Sequence, residues 1–430
     1  MKNISECDVV VIGAGAAGLA ATAELIKHKK SVICVEAMDR IGGRCFTDNK
    51  IFDQPFDVGA HWLHSYSNNQ IAHFGQTKKV EFEIYKIDEK ITVYEGNKKS
   101  DGKELLEIIS KIKNLKNNYS QKKSQEHFDQ PFEDLIPIEI RNNEWYATAH
   151  QALGACLEGV DFKNFTTADA QLNYKNYGEG DGFVKQGYGT LLSEYRKDVP
   201  VYLSTIVKNI IWSDKVLKIE TNKGTIRADT CIVTVPNAVL SSETIKFTPL
   251  LPSEKYDAFA GISLGLYNHI VLEFENEFYK YFNIQKDEYF FSKINSSLSS
   301  PPGCFGSLRL HDSNLSYFDV GGEFALELEK EGEKAAINFV LEMLCSTLGS
   351  KIKQFFLRGH STAWGKNVFF QGSYSSAKPG KAHLRKILRK PIDDKIFFAG
   401  EATSYNFGTV HGADLSGKET AQDIIKVSKL

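Results

Sequence analysis

The sequence predicts an α/β fold built around a parallel sheet. A buried strand is expected at residues 7–12, and a glycine-rich turn leads from it into a helix at residues 16–29. Residues 31–36 predict a second strand that is apolar on both faces, as parallel strands are. Near the other end, residues 396–399 predict a buried strand ahead of a helix from about Gly412. Segments of one type of sheet therefore stand at both ends of the chain.

The middle of the chain predicts mostly short strands. Residues 201–203, 216–221 and 225–228 have strand-like patterns and are separated by turn signals. Residues 231–235 are mostly apolar and predict another buried strand. Residues 270–274 alternate in polarity, as a half-exposed strand does. The parallel-sheet pattern thus recurs in the middle of the chain, next to strands of a different kind.

The length of the chain predicts two domains, because 430 residues exceed one ordinary hydrophobic core. Segments typical of a dinucleotide-binding parallel sheet occur at both ends and in the middle of the chain. We therefore expect a discontinuous Rossmann-type cofactor domain interleaved with an α+β substrate-binding domain. The expected cofactor domain comprises residues 1–77, 183–258 and 360–430. The expected substrate-binding domain comprises residues 78–182 and 259–359.

Composition excludes several classes of function. A net charge of −2 argues against a nucleic-acid binder, which needs a basic surface for the phosphates. The sequence contains no apolar run of the roughly 18 residues that a membrane span requires. The seven cysteines form no Cys-x-x-Cys pair, which favours reduced thiols in a cytoplasmic protein and predicts neither a disulfide framework nor a metal site. Oligomeric state is left open.

The first turn has the pattern of a phosphate-binding loop. In Gly13-Ala-Gly-Ala-Ala-Gly18, the first glycine permits a tight turn, the second lets the backbone approach a pyrophosphate, and the third allows close packing of helix on strand. The following helix would direct its unpaired N–H groups and its dipole at the anion. Glu36 ends the next strand, where an acidic side chain accepts hydrogen bonds from ribose hydroxyls. Together these features predict dinucleotide binding.

The residues after the second strand separate FAD from NAD. Arg40-Ile-Gly-Gly-Arg44 places two glycines where the chain would pass the cofactor, and Arg44 can meet a pyrophosphate bidentately. The segment Glu36-Ala-Met-Asp-Arg-Ile-Gly-Gly-Arg44 resembles the signature of the flavin amine oxidase superfamily, which includes monoamine oxidases, polyamine oxidases, L-amino-acid oxidases and histone lysine demethylases. The resemblance implies FAD as the cofactor.

Other segments extend this resemblance over most of the chain. They are Asp57-Val-Gly-Ala-His-Trp-Leu-His64, Gly182-Phe-Val-Lys-Gln-Gly-Tyr188, Ser204-Thr-Ile-Val207, Phe397-Phe-Ala-Gly-Glu-Ala-Thr403 and Gly408-Thr-Val-His-Gly-Ala413. The pair of histidines flanking Trp-Leu in the first of them is most similar to polyamine oxidases. The cofactor-binding residues that the resemblance implies are Gly13, Gly15, Ala16, Gly18, Glu36, Ala37, Gly43, Arg44, Gly59, Ala60, His61, Trp62, Val207, Gly400, Glu401, Thr409 and Val410.

Two aromatic residues are expected at the substrate. Trp364 and Tyr374 match a motif in which the tyrosine stands beside the flavin and helps to form an aromatic cage for the amine. A ring face attracts a cationic amine and orients a neutral one. In monoamine oxidases the residue before this tyrosine is a cysteine bonded to the flavin, whereas here it is Ser373. We therefore expect non-covalent FAD, with Thr409 against the ring.

Histidines complete the expected catalytic set. Most of the family has a lysine that holds a water near the flavin, and this chain has His269 at that position. A histidine is mostly neutral at pH 7, so His269 would give less positive charge during reoxidation by oxygen. His64 resembles the histidine that contacts substrate in polyamine oxidases, and Glu179 and Asp181 are candidate anchors for a distal ammonium group.

The resemblance implies an amine oxidase that transfers a hydride from the carbon next to the amine nitrogen to the flavin, with oxygen reduced to hydrogen peroxide. A polyamine or monoamine substrate is favoured. An L-amino-acid oxidase would need an arginine for the substrate carboxylate, and none is identifiable. A histone demethylase is disfavoured because its acidic channel segment reads Leu172-Asn-Tyr-Lys-Asn-Tyr177 here. His269 also leaves open a flavin-binding protein with weak oxidase activity.

Overall fold

The computed structural model describes residues 6–84, 91–121, 129–174, 178–294 and 305–427. The chain divides into two compact units. Unit 1 comprises Met1–Ile84, Lys175–Leu264 and Val368–Leu430. Unit 2 comprises Tyr85–Tyr174 and Gly265–Asn367. Both units are thus discontinuous in sequence. No helix in the described ranges is long and apolar enough to cross a membrane.

The strands, in chain order, are β1 Cys7–Ile12, β2 Val32–Val35, β3 Thr47–Asp48, β4 Phe56–Asp57, β5 Trp62–Leu63, β6 Phe82–Ile84, β7 Ile91–Glu95, β8 Lys98–Ser100, β9 Gly182–Val184, β10 Val207–Ile211, β11 Leu217–Thr221, β12 Gly224–Val233, β13 Lys246–Thr248, β14 Ile262–Leu264, β15 Tyr267–Phe274, β16 Glu288–Ser292, β17 Phe305–Leu308, β18 Leu315–Gly321, β19 Phe356–Ser361, β20 Ser375–Ala377 and β21 Ile396–Phe398.

The α-helices are α1 Ala16–Lys27, α2 Gln70–Thr77, α3 Lys103–Gln121, α4 Ile138–Arg141, α5 Tyr146–His150, α6 Thr167–Tyr174, α7 Tyr188–Tyr195, α8 Asn237–Ser241, α9 Ser253–Gly261, α10 Asn276–Tyr281, α11 Gly322–Glu331, α12 Glu333–Leu348, α13 Leu384–Arg389 and α14 Val410–Val427. One turn of π-helix, Gln151–Cys156, follows α5 directly.

The main sheet of unit 1 has the strand order β13-β10-β11-β12-β1-β2, and β21 pairs with β12. Strand β1 is parallel to both β2 and β12, with Val9 opposite Val32 and Thr230. Helices α1 and α14 pack together, and their apolar side chains share one core with β1. The apolar run at the N-terminus therefore forms an inner strand in the parallel part of this sheet, as its pattern predicts.

Two expectations about the strands of unit 1 are wrong. The strands expected at residues 225–228 and 231–235 are one continuous strand, β12, which pairs with antiparallel β11 along its first half and with parallel β21 along its second. Residues 201–203 form no strand, and only Tyr202 makes an isolated bridge, to Val35. The change of partner strand along β12 and the isolated bridge at Tyr202 both depend on tertiary contacts. The local sequence pattern therefore does not reveal them.

Unit 2 contains a seven-stranded sheet in the order β19-β15-β18-β17-β16-β7-β8. Strand β15 lies between β18 and β19, and helices α11 and α12 pack on the same sheet. The expectation that residues 270–274 are half-exposed is wrong, because all five are buried. The polar member of the alternation, Glu273, is buried beside Arg358, whose Nε donates to its Oε2 at 2.6 Å. Pairing with an arginine thus makes burial of this carboxylate tolerable.

Candidate functional site

The glycine-rich turn of unit 1 joins β1 to α1 and leaves space at the start of the helix. Gly13 has φ of +104°, which favours glycine, and a Cβ on Gly18 would lie 1.8 Å from the carbonyl oxygen of Gly13. Gly15 precedes the first helical residue, Ala16, and no side chain caps the helix there. A Cβ on Gly15 would meet no atom within 4 Å. The turn therefore presents the first N–H groups of α1 to an open space.

The arginine-glycine segment packs directly against this turn. Gly15 and Gly42 form a parallel bridge, and the Gly42 N–H donates to the carbonyl of Ala14 at 2.9 Å. A Cβ on Gly43 would lie 3.2 Å from the Cα of Gly15. The Arg40 guanidinium donates to the Gly43 carbonyl at 2.9 Å. The two motifs that the sequence places about thirty residues apart thus form one glycine-lined cradle.

Glu36 follows β2, and its carboxylate faces the turn. Its Oε2 accepts from the Ala14 N–H at 2.7 Å, and its Oε1 accepts from the Met38 N–H at 2.9 Å. The side chain is buried, and burial raises the pKa of Glu36 above its ordinary value despite these donors. Ala37 is partly exposed beside it. The structure therefore holds a buried carboxylate directly beside the glycine-rich turn.

Arg44 joins the N-terminal motif to the C-terminal one. Its guanidinium donates to Glu401 Oε1 at 3.0 Å and to the Ser373 carbonyl at 2.5 Å. Glu401 also accepts from the Ser375 hydroxyl at 2.7 Å and from the Gly408 N–H at 2.9 Å. Burial would raise the pKa of Glu401, but Arg44 and these donors outweigh burial and lower it. The carboxylate is therefore a buried anion that holds three chain segments together.

Arg385 is a second cation in this network, and the sequence analysis did not select it. Its guanidinium donates to the Ser375 hydroxyl and to the Ala402 carbonyl, each at 3.0 Å, and lies 3.7 Å from the ring centre of Phe407. It is buried. No motif marks Arg385 or Ser375, because both act through contacts that form only when α13 packs beside the C-terminal segment.

Tyr374 and Thr409 lie close together in unit 1. A Cβ on Gly408 would lie 3.6 Å from Cδ2 of the Tyr374 ring, so this glycine leaves room for the ring. The Thr409 hydroxyl accepts from the Gly412 N–H at 3.0 Å and donates to the Asn406 carbonyl at 2.6 Å. Thr409 thus caps the 18-residue helix that begins at Val410. The start of this long helix is a second favourable place for negative charge.

The segment from Asp57 to Leu63 runs along the arginine-glycine motif. The Ala60 N–H donates to the Arg44 carbonyl at 3.0 Å, and Gly59 is buried beside it. His61 and Trp62 pack on Phe183, with ring centres 5.3 Å and 4.2 Å apart respectively. Backbone contact and aromatic packing therefore fix the residues that the resemblance places along the isoalloxazine ring.

His64 pairs with Asp181 in unit 1. Its Nδ1 lies 3.1 Å from Asp181 Oδ1, and the same oxygen accepts from the Ser65 N–H at 3.1 Å. Burial opposes ionisation of Asp181, but the histidine and this N–H lower its pKa. His411 lies within electrostatic range of both, and its pKa falls to about 4 because of burial and the nearby His64. The second candidate ammonium anchor, Glu179, has its N–H bonded to the Ser67 hydroxyl.

His269 is the third residue of β15 in unit 2 and is buried beside a carboxylate that the sequence analysis did not select. Its Nδ1 lies 2.7 Å from Oδ1 of Asp319, the residue opposite it on β18. The only signal that could have found Asp319 is the strand register, which the sequence does not reveal across a separation of fifty residues.

Trp364 is buried in unit 2 and is tied to the same strand. Its backbone N–H donates to Asn268 Oδ1 at 3.1 Å, and the Thr362 hydroxyl donates to that oxygen at 3.1 Å as well. Thr362 Oγ1 accepts from the His269 N–H at 2.9 Å. A hydrogen-bonded network thus brings His269 and Trp364 together, whereas Tyr374, Thr409 and His64 belong to unit 1.

Val207 and Gly400 also belong to unit 1. Val207 is the first residue of β10, and its side chain is buried. Gly400 has φ of +147°, and a Cβ there would meet no atom within 4 Å. In the segment 172–177, which bears on the demethylase alternative, residues 175–177 lie outside the described residues, as do the side chains of 172–174.

The residues of unit 1 fit a dinucleotide cofactor. Open space surrounds Gly15 and Gly400, each beside a helix start or a cofactor motif. The N–H groups of α1 and the Arg44 guanidinium suit a pyrophosphate, and the Glu36 carboxylate suits ribose hydroxyls. The cradle thus has the shape and the donors that FAD requires. Fold and site together define a dinucleotide-binding oxidoreductase.

Comparison with known proteins narrows this class. The profile of the flavin containing amine oxidoreductase family matches residues 77–425, and that of an NAD(P)-binding Rossmann-like domain matches residues 11–76. Polyamine oxidase 2 of Arabidopsis thaliana is 30% identical over 96% of this chain and 87% of its own length. Polyamine oxidase 3 of Oryza sativa subsp. japonica is 29% identical over 96% of this chain and 88% of its own length. The chain therefore belongs to the flavin-containing amine oxidoreductase family and is an FAD-dependent amine oxidase.

Other relatives agree with this assignment. Lysine-specific histone demethylase 1 homolog 3 of Arabidopsis thaliana is 25% identical over 99% of this chain but only 30% of its own length. A putrescine oxidase solved with putrescine superposes with a TM-score of 0.76, covering 98% of this chain and 100% of that one at 20% identity. This structural likeness confirms the Rossmann-type α/β fold.

Proposed function

We propose that this protein oxidises a polyamine, or a related amine, and passes the electrons to molecular oxygen. The observation that carries the proposal is the similarity to polyamine oxidases over 96% of the chain and 87–88% of their length. The His64–Asp181 pair supports it, because this pair offers a polar contact for a substrate nitrogen. The demethylase relatives are matched over much smaller fractions of their length.

The proposal assigns the cofactor to unit 1. The N–H groups at the start of α1 and the Arg44 guanidinium would bind the pyrophosphate, Glu36 would bind the ribose, and the Val207 backbone would pair with adenine. Backbone groups of Gly43, Gly59 and Ala60 would line the cofactor, and His61 and Trp62 would pack along the ring. When bound, FAD supplies the acceptor for the hydride that leaves the carbon next to the amine nitrogen.

The protein's own residues would prepare the amine. Only a neutral amine gives up the hydride readily, and an aromatic, water-poor surface lowers the pKa of a bound ammonium. We assign this role to Tyr374 and Trp364, with His64 as the polar contact for a nitrogen. Thr409 would fix the position of Val410 against the ring, since its hydroxyl caps that helix. The imine product is hydrolysed to an aldehyde and an amine.

We also propose that FAD is held without a covalent bond and that the protein is cytoplasmic. The residue before Tyr374 is Ser373, which has no thiol for a flavin thioether. The cysteines Cys7, Cys34, Cys45, Cys231 and Cys345 carry free thiols, which suits a reducing compartment. Microscopy of a tagged full-length chain tests the location, and a signal confined to an oxidising organelle would overturn it.

Hydrogen peroxide release from a panel of amines tests the function. The panel comprises spermine, N-acetylspermine, putrescine, tyramine, free amino acids and a peptide with dimethylated lysine. We expect turnover of at least one polyamine at a kcat/KM at least tenfold above that of tyramine and the amino acids. Turnover of amino acids alone would support the L-amino-acid oxidase alternative, and turnover of the peptide alone would support a demethylase.

A further inference from the structure

A histidine and an aspartate form a directly opposed pair in the sheet of unit 2. His269 on β15 and Asp319 on β18 are cross-strand partners, so both side chains point to the same face. The His269 Nδ1 and the Asp319 Oδ1 are 2.7 Å apart, the distance of a strong, charge-assisted hydrogen bond. The two residues are 1% and 4% exposed. Solvent therefore does not weaken their interaction.

Fully buried apolar residues follow His269 along β15. The next three residues of β15, Ile270, Val271 and Leu272, are completely buried. A buried carboxylate in such surroundings is costly unless a cation or a strong donor compensates it. Within unit 2 the imidazole provides that compensation.

Other polar groups of unit 2 near His269 have separate roles. The rings of Tyr267 and Tyr317 approach the His269 ring edge-on, with ring centres 5.1 Å and 5.9 Å away. Thr362, the residue after β19, bonds to the backbone of His269. On α11, Glu329 accepts from Asn268 Nδ2 at 2.7 Å and from the Gly365 N–H at 2.9 Å. Asp319 is thus the acid in contact with the imidazole in the described part of this unit.

The contact with Asp319 determines which ring nitrogen of His269 carries a proton. A carboxylate accepts a hydrogen bond, so Nδ1 of His269 carries a proton. Any other polar contact of the ring must then use Nε2. In the neutral ring Nε2 is an acceptor, and a second proton there gives an imidazolium whose charge the Asp319 carboxylate stabilises. Two hydrogen bonds hold β15 in place at this point. The His269 N–H donates to the Thr362 hydroxyl oxygen, and the Thr362 N–H donates to the His269 carbonyl.

We propose that Asp319 is a positioning residue for His269: it fixes the Nδ1-protonated tautomer and favours the imidazolium, so that the pair delivers positive charge through Nε2. This inference rests on the proposed function, in which His269 takes part in catalysis. It revises the expectation that the histidine at this position is mostly neutral at pH 7. Asp319 compensates for the weaker intrinsic basicity of histidine compared with lysine.

Histidine NMR of the FAD-bound protein tests the pairing without any substrate. Protein labelled with ¹⁵N at histidine is recorded as wild type, as His269→Gln to assign the signal, as Asp319→Asn, and as Tyr317→Phe, a matched control on the same strand. We expect an Nδ1-protonated ring in the wild type. The ratio of imidazolium to neutral ring at pH 7 should fall by about tenfold or more in Asp319→Asn and stay unchanged in Tyr317→Phe.

A wild-type ring protonated only on Nε2, or equal ratios in Asp319→Asn and wild type, would overturn the proposal. The tautomer of His269 is measured in the wild type, so this part of the test holds even where Asp319→Asn does not fold.

A second readout is the pH profile of oxygen consumption by enzyme reduced beforehand with dithionite, which should shift in Asp319→Asn but not in Tyr317→Phe. Unshifted profiles would also contradict it. Failure of every amine to release peroxide, with the NMR result intact, would reject the proposed function and leave the pairing in place.

Discussion

The Arg44 guanidinium donates to the Glu401 carboxylate at 3.0 Å and so connects two motifs that are 357 residues apart in the chain. Glu401 is buried and also binds the Ser375 hydroxyl and the Gly408 N–H. This arrangement gives the C-terminal motif a structural role beside its expected cofactor contact. The carboxylate fixes the segments on either side of Tyr374 and Thr409.

Replacing Glu401 by glutamine should destabilise unit 1 and weaken FAD retention. The variant leaves Arg44 and Arg385 beside a neutral amide, and breaking such a buried pair costs about 3 kcal/mol. Urea unfolding monitored by flavin fluorescence at pH 7 measures the loss. Ser375→Ala is the matched control, because it removes one neutral donor to the same carboxylate and should cost only about 1 kcal/mol. Equal losses in both variants would show that the charge pair contributes nothing of its own.

The Arg44–Glu401 pair should also make the free energy of unfolding depend on pH in the acid range. The pKa of Glu401 is lower in the folded state than in the unfolded chain, so its contribution is complete above the unfolded pKa. The contribution is lost as the pH falls through the lower, folded pKa. The wild type should therefore lose stability more steeply than Glu401→Gln in the acid range below the ordinary pKa of a glutamate.

Because of His411, the free energy of unfolding should decrease as the pH falls from 7 to 5. Its folded-state pKa is about 4 against an ordinary 6.5, so in this window the unfolded chain binds the additional proton. Stability then rises with pH, and the linkage predicts a difference of about 2 kcal/mol between pH 5 and pH 7. Urea unfolding of the wild type and of His411→Asn at the two pH values measures it. A difference of the same size in both proteins would assign the effect to other groups.

Two glycines of the first turn should separate cofactor binding from folding. A Cβ at Gly15 meets no protein atom within 4 Å, so Gly15→Ala should fold normally but bind FAD at least about tenfold more weakly, because the methyl group occupies the space for the pyrophosphate. A Cβ at Gly18 would lie 1.8 Å from the Gly13 carbonyl oxygen, so Gly18→Ala should lower the stability of the apoprotein itself. Titration of both apoproteins with FAD, alongside their thermal unfolding, tests this. Unchanged FAD affinity in Gly15→Ala would place the pyrophosphate elsewhere.

The absence of a thiol at Ser373 predicts that the flavin leaves the protein on denaturation. After acid precipitation and centrifugation, we expect the yellow cofactor in the supernatant, because only hydrogen bonds and packing hold it. Flavin that remains with the precipitated protein would instead demonstrate a covalent link through some other residue.

The sequence predicted the first turn well because its meaning is local. The glycines of Gly13-Ala-Gly-Ala-Ala-Gly18 have roles that depend on neighbouring backbone atoms, and β1 has the expected bounds. Asp319 could not be predicted, because it reaches His269 only through the register of β18 on β15. The buried Glu273 shows the same limit: its alternating pattern suggests exposure, but Arg358 on the next strand allows it to be buried.

Anaerobic mixing of the FAD-bound enzyme with a polyamine tests the central claim most directly, because it needs no oxygen and no accessory reaction. Spermine, N-acetylspermine or putrescine should bleach the visible absorbance of the flavin in a single turnover, at a rate at least tenfold above that with tyramine or an amino acid. A flavin that stays oxidised with all three polyamines, while dithionite reduces it fully, would contradict the proposal that this protein oxidises a polyamine.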